Sequence, residues 1–186
     1  MNLHQLSVIY VDEQDRILVR FSTSEGEELR LWLTRRMVAR VLEPLHDAVG
    51  QLEARRTPLP QDSAHSRRML ADLKRAEAVQ QSDFSTPYQG KADKLPLGSK
   101  PLLVTQLRMT VASDKQLQIG FDERLSDQTE GRGFQVAMEP PMVHGFMHLL
   151  ETAVGNAQWD IGHSTQHDIS ASGDEPRGDT RPKYLQ

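Results

Sequence analysis

The chain contains no cysteine, which excludes disulfides, thiolate zinc sites and a thiol nucleophile, and fits a reducing compartment. Aromatic residues are scarce, at 5 % of 186 residues, and the hydrophobic share is only 37 %. Part of the length is therefore expected to lie outside any core. Long apolar runs are missing as well. Val8-Ile9-Tyr10-Val11 is far too short for a signal h-region or a membrane span, and Met1-Asn2-Leu3-His4-Gln5 carries no basic segment. The expected location is the cytoplasm, with no membrane. A formal net charge of −4, with no strongly basic region, leaves little for broad electrostatic capture of nucleic acid.

Catalytic signatures are absent too. There is no G-x-S-x-G elbow, no phosphate-cradling G-x-x-x-x-G-K-[ST], no H-E-x-x-H and no dinucleotide fingerprint. Gly131-Arg132-Gly133 lies between two predicted strands without a helix N-terminus to receive a phosphate, so its expected role is turn geometry. No carboxylate pair stands out as an acid/base couple. No cofactor is expected, and the enzyme question leans to no.

What is present is a repetition. Met37-Val38 aligns with Met142-Val143, Leu45 with Leu150, and Ala48-Val49-Gly50 with Ala153-Val154-Gly155. Period-two alternation gives way to helical spacing at the same aligned point in both stretches. The first reads as strands Leu6–Val11, Arg16–Phe21 and Glu28–Leu33, the second as Leu107–Ala112, Gln116–Phe121 and Phe134–Met138. Short turns such as Ser24-Glu25-Gly26-Glu27 make each a meander. Agreement between the copies points Ile17, Val19, Phe21, Leu29, Leu31 and Leu33 inward, with Leu117, Ile119, Phe121, Phe134, Val136 and Met138.

Thr34 is placed to cap the first helix, and Pro140-Pro141 to open the second. Pro44 is expected to kink the first helix. Each helix is expected to lie across its own sheet, with the sheets either continuous over six strands or packed helix to helix.

The fold class is thus α+β: two tandem βββα repeats, each a three-stranded antiparallel meander plus an amphipathic helix, related by an approximate internal two-fold. The organisation is 1–57 first repeat, 58–100 connector with one helix, 101–160 second repeat and 161–186 disordered tail, the repeats forming one compact domain. The connector's Thr57-Pro58-Leu59-Pro60 ends the first unit. A helix over Ala64–Gln81 follows, with Met69, Leu70, Leu73, Ala76 and Val79 as its narrow apolar stripe, and then an irregular Ser85–Lys100.

Leu29-Arg30-Leu31-Trp32-Leu33-Thr34-Arg35-Arg36 resembles a strand-to-helix junction of uncharacterised bacterial proteins and implies no activity. Paired sheet-plus-helix repeats are similar to the architectures of Pur-type and Whirly-type single-strand-binding proteins, whose repeats carry four strands where three are counted here. That resemblance implies single-stranded nucleic-acid binding on the sheet face.

The outward face of the first sheet holds Ile9, Arg16, Leu18, Arg20, Arg30 and Trp32, more apolar and more basic than an ordinary solvent face. The leading reading is a non-enzymatic adaptor that buries Trp32 and Leu18 against a protein partner, with Arg20, Arg30, Arg35 and Arg36 orienting it. A homo-oligomer or cover by the connecting helix would use the same surface. The alternative is a nucleic-acid platform, Trp32 stacking on a base while Arg20 and Arg30 hold phosphates. A third reading is a metal-dependent enzyme. His144, His148 and Glu151 recur at i, i+4 and i+7, a spacing that could hold a divalent ion, although helical-wheel geometry turns them away from the apolar stripe toward solvent. His163 and His167 share the spacing but lie in the tail.

Overall fold

The computed structural model describes residues 3–57, 63–82, 86–90, 93–112, 115–126 and 131–161. Its elements are β1 (Leu3–Val11), β2 (Arg16–Thr23), β3 (Glu28–Thr34), α1 (Arg35–Arg56), α2 (Ala64–Gln81), β4 (Leu102–Leu103), β5 (Gln106–Val111), β6 (Leu117–Glu123), β7 (Arg132–Met138) and α3 (Pro140–Asn156). The tail expected from Gly162, with His163 and His167, and the run Pro58-Leu59-Pro60 lie outside the described residues.

The strands form because β-branched and aromatic side chains alternate with polar ones, so one face of each pleat can be buried. β1, β2 and β3 pair antiparallel in sequence order, as do β5, β6 and β7. The result is a mixed α+β fold with two separate sheets, not one continuous sheet of six strands. Sequence patterning missed β4, because two residues are too few to show a period. This strand pairs parallel to β3, Leu31 opposite Leu102 and Trp32 opposite Leu103, and makes the first sheet four-stranded.

The inward positions are as the alternation predicts. Ile17, Val19, Phe21, Leu29, Leu31 and Leu33 are buried, as are Leu117, Ile119, Phe121, Val136 and Met138, while Phe134 is half-buried. Each fully buried side chain of this kind contributes about 1.5–3 kcal/mol. The Phe21 and Phe121 rings meet with centroids 5.9 Å apart, and Phe21 also touches Phe134 and Phe146, so both sheets share one core.

Thr34 caps α1 by accepting from the Met37 N–H at 3.2 Å. The helix then runs through Pro44 in one piece. Residues Pro140 and Pro141 open α3, where an absent N–H costs nothing. The expectation that each helix covers its own sheet is corrected by the packing. Helix α3 lies along β1, and α1 reaches β5 and β6 as well as β3, with Arg55 Nη1 donating to the Val111 carbonyl at 2.9 Å. Each apolar stripe is broad enough to serve a shared core.

Helix α2 has the predicted bounds but the opposite face inward. It lies across both α1 and α3, burying Ala71 and half-burying Leu70, Lys74, Arg75, Ala78 and Val79. Met69 and Leu73 stay 61 % and 57 % exposed. Charge and small size win over the apolar stripe here. Arg68 pairs with Glu43 and Asp47, Arg75 with Glu151, and the backbone of Arg67 comes close to Gly50, which has no side chain to hold it off.

Candidate functional site

The outward face of the first sheet divides into three parts. Across its middle, Ile9, Leu18, Trp32 and Leu103 stand in register on four successive strands. Three of them are half-buried and Ile9 is 42 % exposed. Helix α2 does not cover this row, since it packs on the other helices. At one end Arg16 faces Thr34, next to the exposed Arg35 and Arg36. These three arginines make no ion pair among the described residues.

The other end of the face is closed by the connector. Arg20 and Arg30 are in register and both have partners on the face, though the Arg30 side chain keeps 31 % of its surface exposed. Arg20 donates to Ser7 Oγ at 3.0 Å and lies over the Tyr88 ring, 4.5 Å from its centroid. Arg30 pairs through Nε with the buried Glu28, whose other oxygen accepts from Tyr88 Oη at 2.9 Å. Burial, and then the hydrogen bond and charge of Glu28, push the Tyr88 phenol far above its usual value, so it remains a donor. Backbone bonds pin the same segment: the Glu28 N–H donates to the Lys94 carbonyl, and the Asp93 and Lys94 N–H groups to the Gly26 carbonyl. Gly26 sits at φ +75°, where a side chain would be strained, and a Cβ there would crowd Asp93.

Of the six sequence-predicted interface residues, Leu18, Trp32, Arg35 and Arg36 remain presented, whereas Arg20 is engaged by Ser7 and the connector's Tyr88, and Arg30 by Glu28. Tyr88 was the missed partner. Its only sequence signal was that it is the one aromatic of the irregular stretch Ser85–Lys100.

The helix layer holds the second polar feature. His144 does not point to solvent, as helical-wheel geometry suggested; it is 2 % exposed, because α1 and α2 cover the side of α3 that faces away from the sheet. Its Nε2 lies 2.9 Å from Oε1 of Glu53, which is 1 % exposed. Burial opposes ionisation of Glu53, but the His144 hydrogen bond and the charges of His144, Arg56 and Lys74 outweigh it and hold the carboxyl below the usual range. An ionised carboxylate only accepts, so Nε2 carries the hydrogen.

Glu151 is engaged elsewhere, 2.6 Å from Arg75 Nη1 and 3.1 Å from His46 Nε2. Burial raises its carboxyl, yet the His46 bond and Arg75 together hold it low. The carbonyl of His148 accepts from the Thr152 hydroxyl. His144 and Glu151 are thus committed to separate partners, and among the described residues no three His, Cys, Asp or Glu side chains gather as a metal would require.

No family model, no curated protein and no solved structure matches the chain. The Pur-type and Whirly-type likeness therefore rests on the sequence pattern alone. No described helix is long and apolar enough to cross a membrane.

Proposed function

We propose that the chain is a non-enzymatic binding protein that recognises a protein partner through the outward face of its first sheet. The observation that carries this reading is the row Ile9, Leu18, Trp32 and Leu103, left open in register while one end of that face is closed over by Tyr88. A partly exposed indole flanked by aliphatic side chains is the composition of an interface anchor. Arg16, Arg35 and Arg36 at one end favour an acidic rim on the partner. Single-stranded nucleic acid is supported less by this geometry, since the two arginines assigned to phosphate already serve Tyr88, Ser7 and Glu28.

The finer architecture belongs to the same proposal. Two βββα repeats about an approximate two-fold would bring equivalent residues together on the axis. The contacts Phe21–Phe121 and His46–Glu151, between positions that align with each other, support it. A cytoplasmic setting and self-association through the same row complete the reading.

The test is affinity capture, identification of the bound protein and titration of that purified partner against wild type, Trp32→Ala and Leu18→Ala. Trp32→Ala is expected to weaken binding by about tenfold or more, the mark of an anchor. Unchanged affinity in both variants removes the face from the proposal. Quenching of Trp32 fluorescence by an oligonucleotide, lost steeply with salt, would instead favour the nucleic-acid reading.

A further inference from the structure

Strands β3 and β7 hold the same place in their meanders: each is the third strand, pairs with the strand before it and leads into a helix. Their registers agree, since Val19 faces Leu31 and Phe21 faces Leu29 just as Ile119 faces Val136 and Phe121 faces Phe134. Equating the two rests on the two-repeat reading above. The far side of β3 is occupied: Glu27 bridges to Lys94, and Leu102 and Leu103 lie parallel to Leu31 and Trp32. No strand occupies the far side of β7 among the described residues. We propose that this open edge takes an extended segment of a partner protein running parallel to β7. The segment carries alternate aliphatic residues, the first opposite Val136, and an acidic residue ahead of them.

Three observations support this occupant. First, the edge has free main-chain groups. The Trp32 carbonyl accepts from the Val104 N–H at 3.1 Å, so the Trp32 main chain faces its fourth strand. Alternate residues of a strand aim their N–H and C=O groups the same way, which turns those of Gly133, Gln135 and Ala137 toward the open edge. All three residues are exposed, whereas their counterparts Glu28, Arg30 and Trp32 are not. Strand β7 carries neither lysine nor proline, the residues that commonly blunt a free edge. By contrast, β1 and β5 each have a helix packed along them, and Arg55 takes the Val111 carbonyl at the end of β5.

Second, the core is less complete beside β7. Phe134 is half-buried, whereas its counterpart Leu29 is 3 % exposed. On the first sheet Leu102 and Val104 are buried and close the core beyond β3. Aliphatic side chains at the same two places beside β7 would extend that cover toward Phe134. Third, a parallel segment enters at the start of β7, where Arg124 stands exposed next to Gly131 and in no ion pair among the described residues. A trough of about 690 Å³ opens there, bounded in part by Arg124, Gly133 and Phe134. An acidic residue ahead of the aliphatic positions meets that guanidinium. Main-chain bonds then supply the affinity, and the inward side chains and Arg124 choose the sequence.

The probe is a synthetic peptide, S-E-P-L-L-V-T, which is the chain's own sequence from Ser99 to Thr105 with glutamate in place of Lys100. Titrated into the full chain and followed by nuclear magnetic resonance, it is expected to move the Gln135 and Ala137 amide signals saturably. A paramagnetic label on its N-terminus should broaden Gly133 more than Met138. Ala137→Pro deletes an edge N–H and should weaken binding by about tenfold or more. Arg124→Glu should reverse the preference for this peptide over the one that keeps the lysine, and it carries the comparison if Ala137→Pro does not fold. Trp32→Ala should leave the peptide affinity unchanged, which separates this edge from partner binding on the first sheet. No saturable movement at β7, movement confined to Leu31 and Trp32, a label nearest Met138 or an unchanged preference in Arg124→Glu would overturn the proposal.

Discussion

Ala48-Val49-Gly50 and Ala153-Val154-Gly155 are the same three residues at matching places on α1 and α3, yet they live in different surroundings. Gly50 is buried beneath α2, where a Cβ would come 3.3 Å from that of Arg67. Gly155 is exposed, and a Cβ there would meet nothing within 4 Å. The two sheets differ in the same way. The first gains a fourth strand from Leu102–Leu103, just past the connector, and a Tyr88 clasp from the connector itself, and the second gains neither. Like residues thus build like cores, while the segment joining the halves decides which surfaces close and which stay open. The uncovered row around Trp32 is what that segment leaves behind.

The largest effects should show where the halves are most alike. Phe21→Ala and Phe121→Ala each remove a fully buried ring and should each cost about 3–5 kcal/mol in urea unfolding. The rings touch, so the double variant should lose about 0.5–1.5 kcal/mol less than the sum. Strict additivity would mean that the two sheets do not share a core.

The two Glu/His pairs between α1 and α3 separate the halves more sharply. Glu53→Ala strands a buried imidazole and should cost about 3–5 kcal/mol, whereas the part-exposed Glu151→Ala should cost about 1 kcal/mol or less. Both carboxyls are held below their ordinary range in the folded state. Their contribution is therefore fully present above the ordinary glutamate value and is lost as pH falls through the lowered folded one. Unfolding measured from neutral to acid pH should show wild type losing stability in that window and Glu53→Ala following a flatter curve. Parallel curves would show that the buried carboxyl is not ionised.

Strand existence, the inward faces, the Thr34 cap and the bounds of α2 were legible because period and capping chemistry are local. The environment of His144 was not. A helical wheel knows one helix and treats every face off its stripe as wet, but α3 is covered on one side by a sheet and on another by α1 and α2. The inverted face of α2 escaped for a related reason: Arg68 and Arg75 find carboxylates on the neighbouring helices, and Met69 and Leu73 are left outside. Arg20 and Arg30 looked like ligand-binding cations because Tyr88, which lies against Arg20 and hydrogen-bonds the Glu28 that pairs with Arg30, is far along the chain. Long-range polar pairing leaves no periodic trace.

The smallest expected difference isolates the connector's influence most cleanly, because the substitution is identical on both sides. Gly155→Ala adds a methyl group to an open helical position and should stabilise by about 0.4–1 kcal/mol, chiefly by restricting the unfolded chain. Gly50→Ala gains the same restriction but drives its Cβ against Arg67, whose side chain and backbone would have to shift by a few tenths of an ångström. Overpacking of this kind costs about 1–3 kcal/mol, so the net change should be a loss of up to about 2 kcal/mol, and Gly50→Val should lose more. Thermal unfolding of the three variants reads the contrast directly. Equal gains at Gly50 and Gly155 would mean that α2 rides loosely over α1.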